Sequence, residues 1–564
     1  MTLAILMLVP VVFACVVLAS PAAQARVIAL VGMLAAFVVV LFGLWSFDWA
    51  NAGDPTQLGL SIAWLPSLGL HFSLGVDSVA LWLIALTALL GPLCVLGSWT
   101  AITEHQKLFY TWLLVLQTAM IGVFSARDLI LFYICFEFTL IPMFVLIRMF
   151  GSTNRKAASV KFFLYTFTGS IIALVGLFYV VWFTARTSGS WTFDIGVLTE
   201  YAHQMSAREQ GWVLLAMLAG FAVKVPLFPL HTWLPLAHTE APTAGSVILA
   251  GVMLKLGTYA IYRFVLGFVP VALVHYAPAI AVLCIVGILY AGLICWVQTD
   301  VKKLVAYSSV SHLGFCVLGL VALNTVGITG SVLYMLNHGL STGALFFLIG
   351  FMYERYHTRD MREVGGLASK MPVWASFMVF FSLASVGLPG LNGFVSEFLS
   401  MLGTFQADSS WASMGTPMPG ATRGVLGPWF AAAAALGVIV AAMYLLYMVG
   451  RMCFGSLLEP AGHAHAAGGH GQGQSSTSHA VQGSELPADL TGREIGVLVP
   501  IGVLCVLLGL YPTPLIRSIQ TPINQTVKRV HSAVDASPAT ASKGAEPIPG
   551  TMALDTGRGL EGAR

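Results

Sequence analysis

Apolar residues fill this chain in long unbroken runs, not in the alternation of a half-buried strand or the single stripe of a soluble helix. A run near 20 residues, bounded by charges, turns or Gly/Pro, is long enough to cross a bilayer as a helix. Fourteen such spans are predicted, at 3–20, 27–46, 76–98, 109–125, 128–148, 160–184, 211–235, 243–265, 273–297, 301–322, 328–353, 372–406, 427–451 and 494–514. The run from Met371 to Ala407 is too long for one ordinary span and is interrupted by GLPGLNG, so it reads as a broken helix. The expected fold class is an all-α polytopic membrane protein embedded in a lipid bilayer.

Composition agrees. Of 564 residues, 57% are hydrophobic and only 9% are charged, whereas a water-facing domain carries about 25% charged residues. A net charge of +3 gives no reason to expect a nucleic-acid partner. Eight cysteines stand singly in apolar segments, without C-x-x-C or metal-cluster spacing, so neither a redox centre nor a disulfide framework is expected. The first residues resemble a signal peptide with an A-x-A site at Ala23–Ala25. No positive charge precedes that apolar run, however, so a retained first helix is expected.

Lys and Arg set the expected orientation. The odd-numbered connections hold fourteen of them and the even-numbered connections five, which puts the odd connections in the cytoplasm and both termini on the periplasmic side of a bacterial inner membrane. Residues 456–492 are Gly-, Ser- and His-rich and read as a flexible cytoplasmic connection. His463, His465, His470 and His479 lack acidic or cysteine partners at metal-ligand spacing, so no metal site is expected there. Residues 493–515 carry the last span, and 516–564 read as a disordered tail.

Four ionisable residues break the apolar interior. Glu137, Lys224, Lys255 and Glu397 each stand deep in an otherwise uncharged span. Each costs about 2.5–3.5 kcal/mol at mid-helix on insertion scales. Structural ion pairs are the plain alternative, but desolvation consumes most of what a buried pair gains. Burial disfavours the charged form and a nearby opposite charge favours it. A buried lysine facing a movable glutamate can therefore take up and release protons.

The charges also mark a repeat. Lys224 is followed by Pro226 and Pro229, which interrupt span 7, and Glu397 follows the interruption of span 12. Paired interrupted helices point to a transporter's ion site. Five spans separate them, and an odd repeat must insert its second copy upside down. The expected organisation is therefore spans 1–3 in residues 1–107, one five-helix unit in 108–266 and an inverted one in 272–453. Histidines stand near these charges: His231 and His238 follow Lys224 at intervals of seven, His312 lies in span 10 and His338 in span 11. Each could extend a proton relay or simply make an interhelical hydrogen bond.

Several segments carry a resemblance. FAVKVPLFPLHTWLPLAHTEAPTAGSVILAGVMLKLGTY, FEFTLIPMFVLI, FFLYTFTGS, VAYSSVSHLGF, LNHGLSTGALFFLIG and GLPGLNGFVSEF together resemble the antiporter-like chain M (chain 4) family of proton-pumping NADH–quinone oxidoreductase, respiratory complex I. The resemblance covers about residues 70–450. It implies that Lys224 is the central proton carrier, Glu137 its pairing partner, Lys255 the link between half-channels and Glu397 the exit group. It implies membrane-arm partners, two sister antiporter-like chains among them, with flavin, iron–sulfur clusters and quinone on other subunits and no cofactor in this chain. Leu236 stands where the family commonly has Asp, which puts an accessory carboxylate in doubt. The resulting expectation is a proton-translocating subunit without redox chemistry of its own. The alternatives are a subunit of a multi-chain cation/proton antiporter or membrane-bound hydrogenase, and a scaffold whose buried charges merely pair.

Overall fold

The structure is a computed structural model, and it describes residues 1–408, 422–460 and 488–536. The four histidines of the Gly-rich connection lie outside the described residues. Twelve described helices are long and apolar enough to cross a membrane. These are α1 (Thr2–Ala19), α2 (Ala25–Ser46), α3 (Ser78–Gly97), α4 (Gln106–Ser125), α5 (Leu129–Phe150) and α6 (Arg155–Ser188). After the short α7 (Ile195–Ala202), the halves α8 (Ala207–Lys224) and α9 (Leu234–Glu240) occupy the place of predicted span 7. Then come α10 (Thr243–Phe268), α11 (Pro270–Trp296), α12 (Val301–Val321) and α13 (Thr325–Tyr356). The halves α14 (Pro372–Val386) and α15 (Asn392–Gln406) occupy the place of predicted span 12, followed by α16 (Pro428–Cys453), α17 (Gly492–Leu510) and α18 (Thr513–Asp535).

Burial sorts these helices. The most apolar windows of α10 and α13 are wholly buried and that of α12 is 94% buried, whereas α1, α2 and α17 reach only 28%, 33% and 33%. The outer helices expose large apolar side chains such as Leu8, Val38, Leu164, Val175, Leu293, Leu436 and Leu507. A face of that kind is stable only against lipid or another apolar surface. The interior helices instead carry the buried polar groups, including Lys255, His312, Asn337 and His338. Glycines let them approach closely: a Cβ on Gly339 of α13 would meet the carbonyl of Gly251 on α10 at 2.8 Å.

The helical membrane fold holds, with one addition and one correction. Gln57–Leu65 (β1) and Leu70–Val76 (β2) form an antiparallel hairpin, with Leu60 opposite Leu74 and Ile62 opposite Phe72. The alternation in LHFSLGV is a strand signal that the search for 20-residue runs passes over. The tail, moreover, is not disordered from residue 516. Buried Leu515, Ile519, Ile523, Val527 and Val530 recur at helical spacing and form the docking stripe of α18. Trp82 Nε1 donates to Ser518 Oγ (2.8 Å) and Thr325 Oγ1 donates to Asn524 Oδ1 (2.9 Å), pinning that helix across α3 and α13. Its low mean hydropathy hid the stripe from a search for membrane runs.

Candidate functional site: a buried polar line

Lys224 is the last residue of α8. Pro226 cannot continue the helical hydrogen-bond ladder, and the carbonyls left free at a helix C-terminus favour a cation. One of them, Val223 O, accepts from the Trp233 indole at 2.9 Å. Lys224 Nζ donates to Phe136 O (2.8 Å) and Thr139 Oγ1 (3.2 Å) and sits 3.6 Å from the centre of the Phe136 ring. Phe136 and Thr139 flank Glu137 on α5, where the helix is interrupted at Thr139, three residues before Pro142. Both Glu137 carboxyl oxygens are buried, and neither has a hydrogen-bond partner among the described residues. The ion pair implied by the resemblance is therefore not closed in this conformation: the ammonium rests on the backbone and hydroxyl beside the carboxylate.

Lys255 is completely buried and lies on α10 between two wider π turns, Leu249–Met253 and Ile261–Val265. Such turns leave carbonyls out of the regular ladder, and Lys255 Nζ donates to one of them, Ala250 O. It also contacts His338 Nδ1 of α13 at 2.7 Å. Two residues on, Gly257 brings α10 against the end of α8, where a Cβ would lie 3.0 Å from the amide of Val225. The chain segments carrying the two lysines are thus packed together, although no hydrogen bond joins their side chains.

Beyond His338 the polar line continues. Its ring centroid lies 5.9 Å from that of His312 on α12. His312 Nδ1 is 2.7 Å from Tyr334 Oη and 3.4 Å from Glu397 Oε1, and Tyr334 donates to the same carboxylate oxygen at 2.6 Å. Because Tyr334 gives its proton to Glu397, the His312 contact requires Nδ1 to be the donor. A cavity of about 10 Å³, the scale of one water molecule, touches His312, Tyr334 and His338. The broken helix fixes the far end of this line. Gly387, the C-cap of α14, has φ 82°, and a Cβ there would lie 2.5 Å from Glu397 Oε2. Asn337 Nδ2 donates to Asn392 O (2.7 Å) and Ser396 Oγ (3.2 Å), tying the start of α15 to α13.

Of the predicted residues, Lys255, His338, His312 and Glu397 fall on this one line. Glu137 and Lys224 form a neighbouring cluster. His231 is buried against Phe228, Tyr290 and Tyr307, and its Nδ1 has no partner among the described residues. It bonds none of the other candidate residues. Tyr334 was missed in the sequence, although it stands one helical turn before His338 on the same face. Lys302, at the start of α12, is buried and donates to Ala241 O at 2.5 Å. With Glu240, Glu354, His357 and Arg359 it lines a cavity of about 840 Å³ at the end of the molecule opposite the hairpin. Between that cavity and Lys255, His238 is fully buried and stacked on Phe346 with centroids 4.6 Å apart, and neither ring nitrogen has a partner among the described residues.

A helical membrane fold with two interrupted helices and a buried lysine–histidine–glutamate line defines an antiporter-like membrane subunit. Residues 126–417 match the family described as NADH:quinone oxidoreductase/Mrp antiporter, transmembrane, and this chain belongs to that family, in its subunit M (chain 4) branch. It is 37% identical over 527 residues to NADH-ubiquinone oxidoreductase chain 4 of Arabidopsis thaliana, covering 93% of this chain and 96% of that one. It is 37% identical over 532 residues to NADH-quinone oxidoreductase subunit M of Rhodobacter capsulatus, covering 91% and 93%. A chain in the structure of respiratory complex I from Thermus thermophilus with bound NADH superposes with a TM-score of 0.77 at 27% identity, covering 94% of this chain and all of that one. A chain of the Mrp complex from Dietzia, at 20% identity and TM-score 0.74, shares the fold.

Proposed function

We propose that this chain translocates protons within the membrane arm of an NADH–quinone oxidoreductase, through Glu137, Lys224, Lys255, His338, His312 and Glu397. The observation carrying this reading is the buried line that runs from Lys255 to His338 and, across a gap of one-water size, from His312 to Tyr334 and Glu397. Every member can accept or give a proton, and one water would bridge the histidines. Ionisable groups so placed in a membrane protein mark ion pathways far more often than packing contacts.

In this reading the Glu137–Lys224 cluster is the switch. With Lys224 resting on Phe136 O and Thr139 Oγ1, closure onto Glu137 stabilises the charged lysine, and opening favours release of its proton towards Lys255. Quinone reduction on other subunits drives the closure, so this chain needs no flavin, iron–sulfur cluster or quinone. The two broken helices support a reading of inverted five-helix units in 108–266 and 272–453, preceded by spans 1–3 in 1–107. The charge bias supports both termini lying in the periplasm of a bacterial inner membrane, and the reading includes sister antiporter-like chains beside this one. His231 supports the Lys224 end by a water-mediated step.

The test is Lys224→Ala in the assembled complex. The proposal expects native-gel assembly and NADH oxidation to persist while proton pumping falls sharply. Wild-type proton stoichiometry in that variant would refute it, and loss of assembly with unchanged pumping per complex would favour a scaffold.

A further inference from the structure

At the end of the molecule carrying the β1–β2 hairpin and α18, four segments enclose a cavity of about 300 Å³. The α4–α5 connection contributes Arg127, α7 and the residue capping its end contribute Glu200 and His203, the end of α10 contributes Arg263, and α18 contributes Thr526 and Arg529. Three arginines therefore line one small space.

Their partners differ. Arg263 Nη2 is paired with Asp77 at 2.7 Å, and its Nε and Nη2 also reach Tyr259 Oη. His203 Nε2 bonds Gly267 O at 2.7 Å. Asp194, the carboxylate capping α7, accepts from the Val197 amide at 3.0 Å. Arg127 is fixed through its backbone, donating to Ser73 O (2.8 Å) and accepting from the Ile195 amide (3.0 Å). Its guanidinium, half-buried, has no hydrogen-bond or ion-pair partner among the described residues, and neither has that of Arg529 at the mouth. Burial, and next the neighbouring Arg263 cation, hold the Arg127 pKa below the usual arginine range. The nearby Asp194 and Asp77 carboxylates offset these effects only in part, and an anion in the cavity would offset the rest.

The chemistry of the free groups selects the ligand. A guanidinium offers a planar fork of N–H donors that matches two oxygens of one phosphate. Position points the same way: Trp49, Trp64, Trp191 and Trp212 are exposed at this end of the molecule, and exposed tryptophans gather at the depth of lipid headgroups. We propose that this cavity binds a phosphate-type oxyanion through Arg127 and Arg529, presented by an anionic phospholipid headgroup or as free phosphate.

The full-length chain in detergent tests this by native mass spectrometry with dioctanoyl phosphatidylglycerol, dioctanoyl phosphatidylcholine or inorganic phosphate. Arg127→Gln and Arg529→Gln are compared with Arg186→Gln, a surface control outside the cavity. The proposal expects one saturable adduct that weakens about tenfold in each cavity variant, keeps its strength in Arg186→Gln and is only partly restored by Arg127→Lys, which returns the charge but not the fork. Phosphatidylglycerol binding alone identifies the lipid source, and binding of inorganic phosphate with the same arginine dependence identifies the free anion. Equal adducts in wild type and both cavity variants would overturn the proposal. So would cavity variants that keep every adduct yet lose association with neighbouring subunits, since that assigns the arginines to a protein carboxylate.

Discussion

Lys255 Nζ lies 2.7 Å from His338 Nδ1, joining two helices that are each buried along their apolar length. Both groups cannot comfortably carry a proton at this distance in so apolar a setting. A proton added to one is therefore expected to displace a proton from the other. With His338 Nδ1 accepting from the ammonium, its Nε2 is the donor, and that nitrogen has no partner among the described residues. The small cavity beside it has room for about one water, which would bridge His338 to His312.

Tyr334→Phe removes the hydroxyl that links His312 to Glu397 and little else. Loss of a positioned proton-transfer group typically costs about 10²–10⁴-fold in rate. Because His312 Nδ1 already lies 3.4 Å from Glu397 Oε1, a direct transfer can bypass the tyrosine, and a reduction of about tenfold in pumping rate is expected. Because the lost hydroxyl donates to a buried carboxylate, stability should fall by about 1–3 kcal/mol. Proton uptake in proteoliposomes and a melting curve of the purified complex check both numbers.

Gly387→Ala strikes the broken helix twice. The residue has φ 82°, which a side chain adopts at a cost of about 1–3 kcal/mol, and its new methyl would press on Glu397 Oε2. The variant should lose both stability and pumping. Gly390→Ala shares the positive φ (94°) but meets only Leu510 Cδ2 at 3.7 Å. It should destabilise by a similar amount and leave pumping per assembled complex nearly intact. Comparing the two separates backbone strain from displacement of the carboxylate.

Arg355→Ala tests a structural use of buried charge in the same fold. Arg355 makes two hydrogen bonds to Glu494, at 3.0 and 2.8 Å, fastening α17 to α13, and the carboxylate is wholly buried. Removing one partner of such a pair costs about 3–5 kcal/mol. The expected result is poor assembly of the chain, with normal proton stoichiometry in whatever complex survives. Native gels and pumping per assembled complex read the two effects apart.

Much of this architecture was legible because lipid imposes a simple rule. Every spanning backbone group must be satisfied within its own helix, so length and apolarity reveal the helices. Proline and glycine at Pro226, Pro229 and GLPGLNG mark where that rule is broken. Lys224, Lys255 and Glu397 were visible because charge is costly in such segments. Tyr334 and Lys302 were not, since tyrosine is unremarkable in a membrane helix and Lys302 neighbours the exposed Lys303 at a helix start. The hairpin and α18 escaped because they lie outside the membrane runs, where alternation and one-sided stripes carry the signal instead. The open Glu137–Lys224 contact is a matter of side-chain conformation, which spacing in a sequence does not encode.

The central claim, that Lys255 and His338 act as one proton-carrying unit, is tested most directly by protons pumped per NADH oxidised. Proteoliposomes carrying wild type, Lys255→Ala, His338→Ala and the double variant form a complete cycle. The account predicts that each single change lowers the ratio and that the double variant is no worse than the poorer single one. Wild-type ratios in both single variants, or independent losses that add in the double, would contradict it.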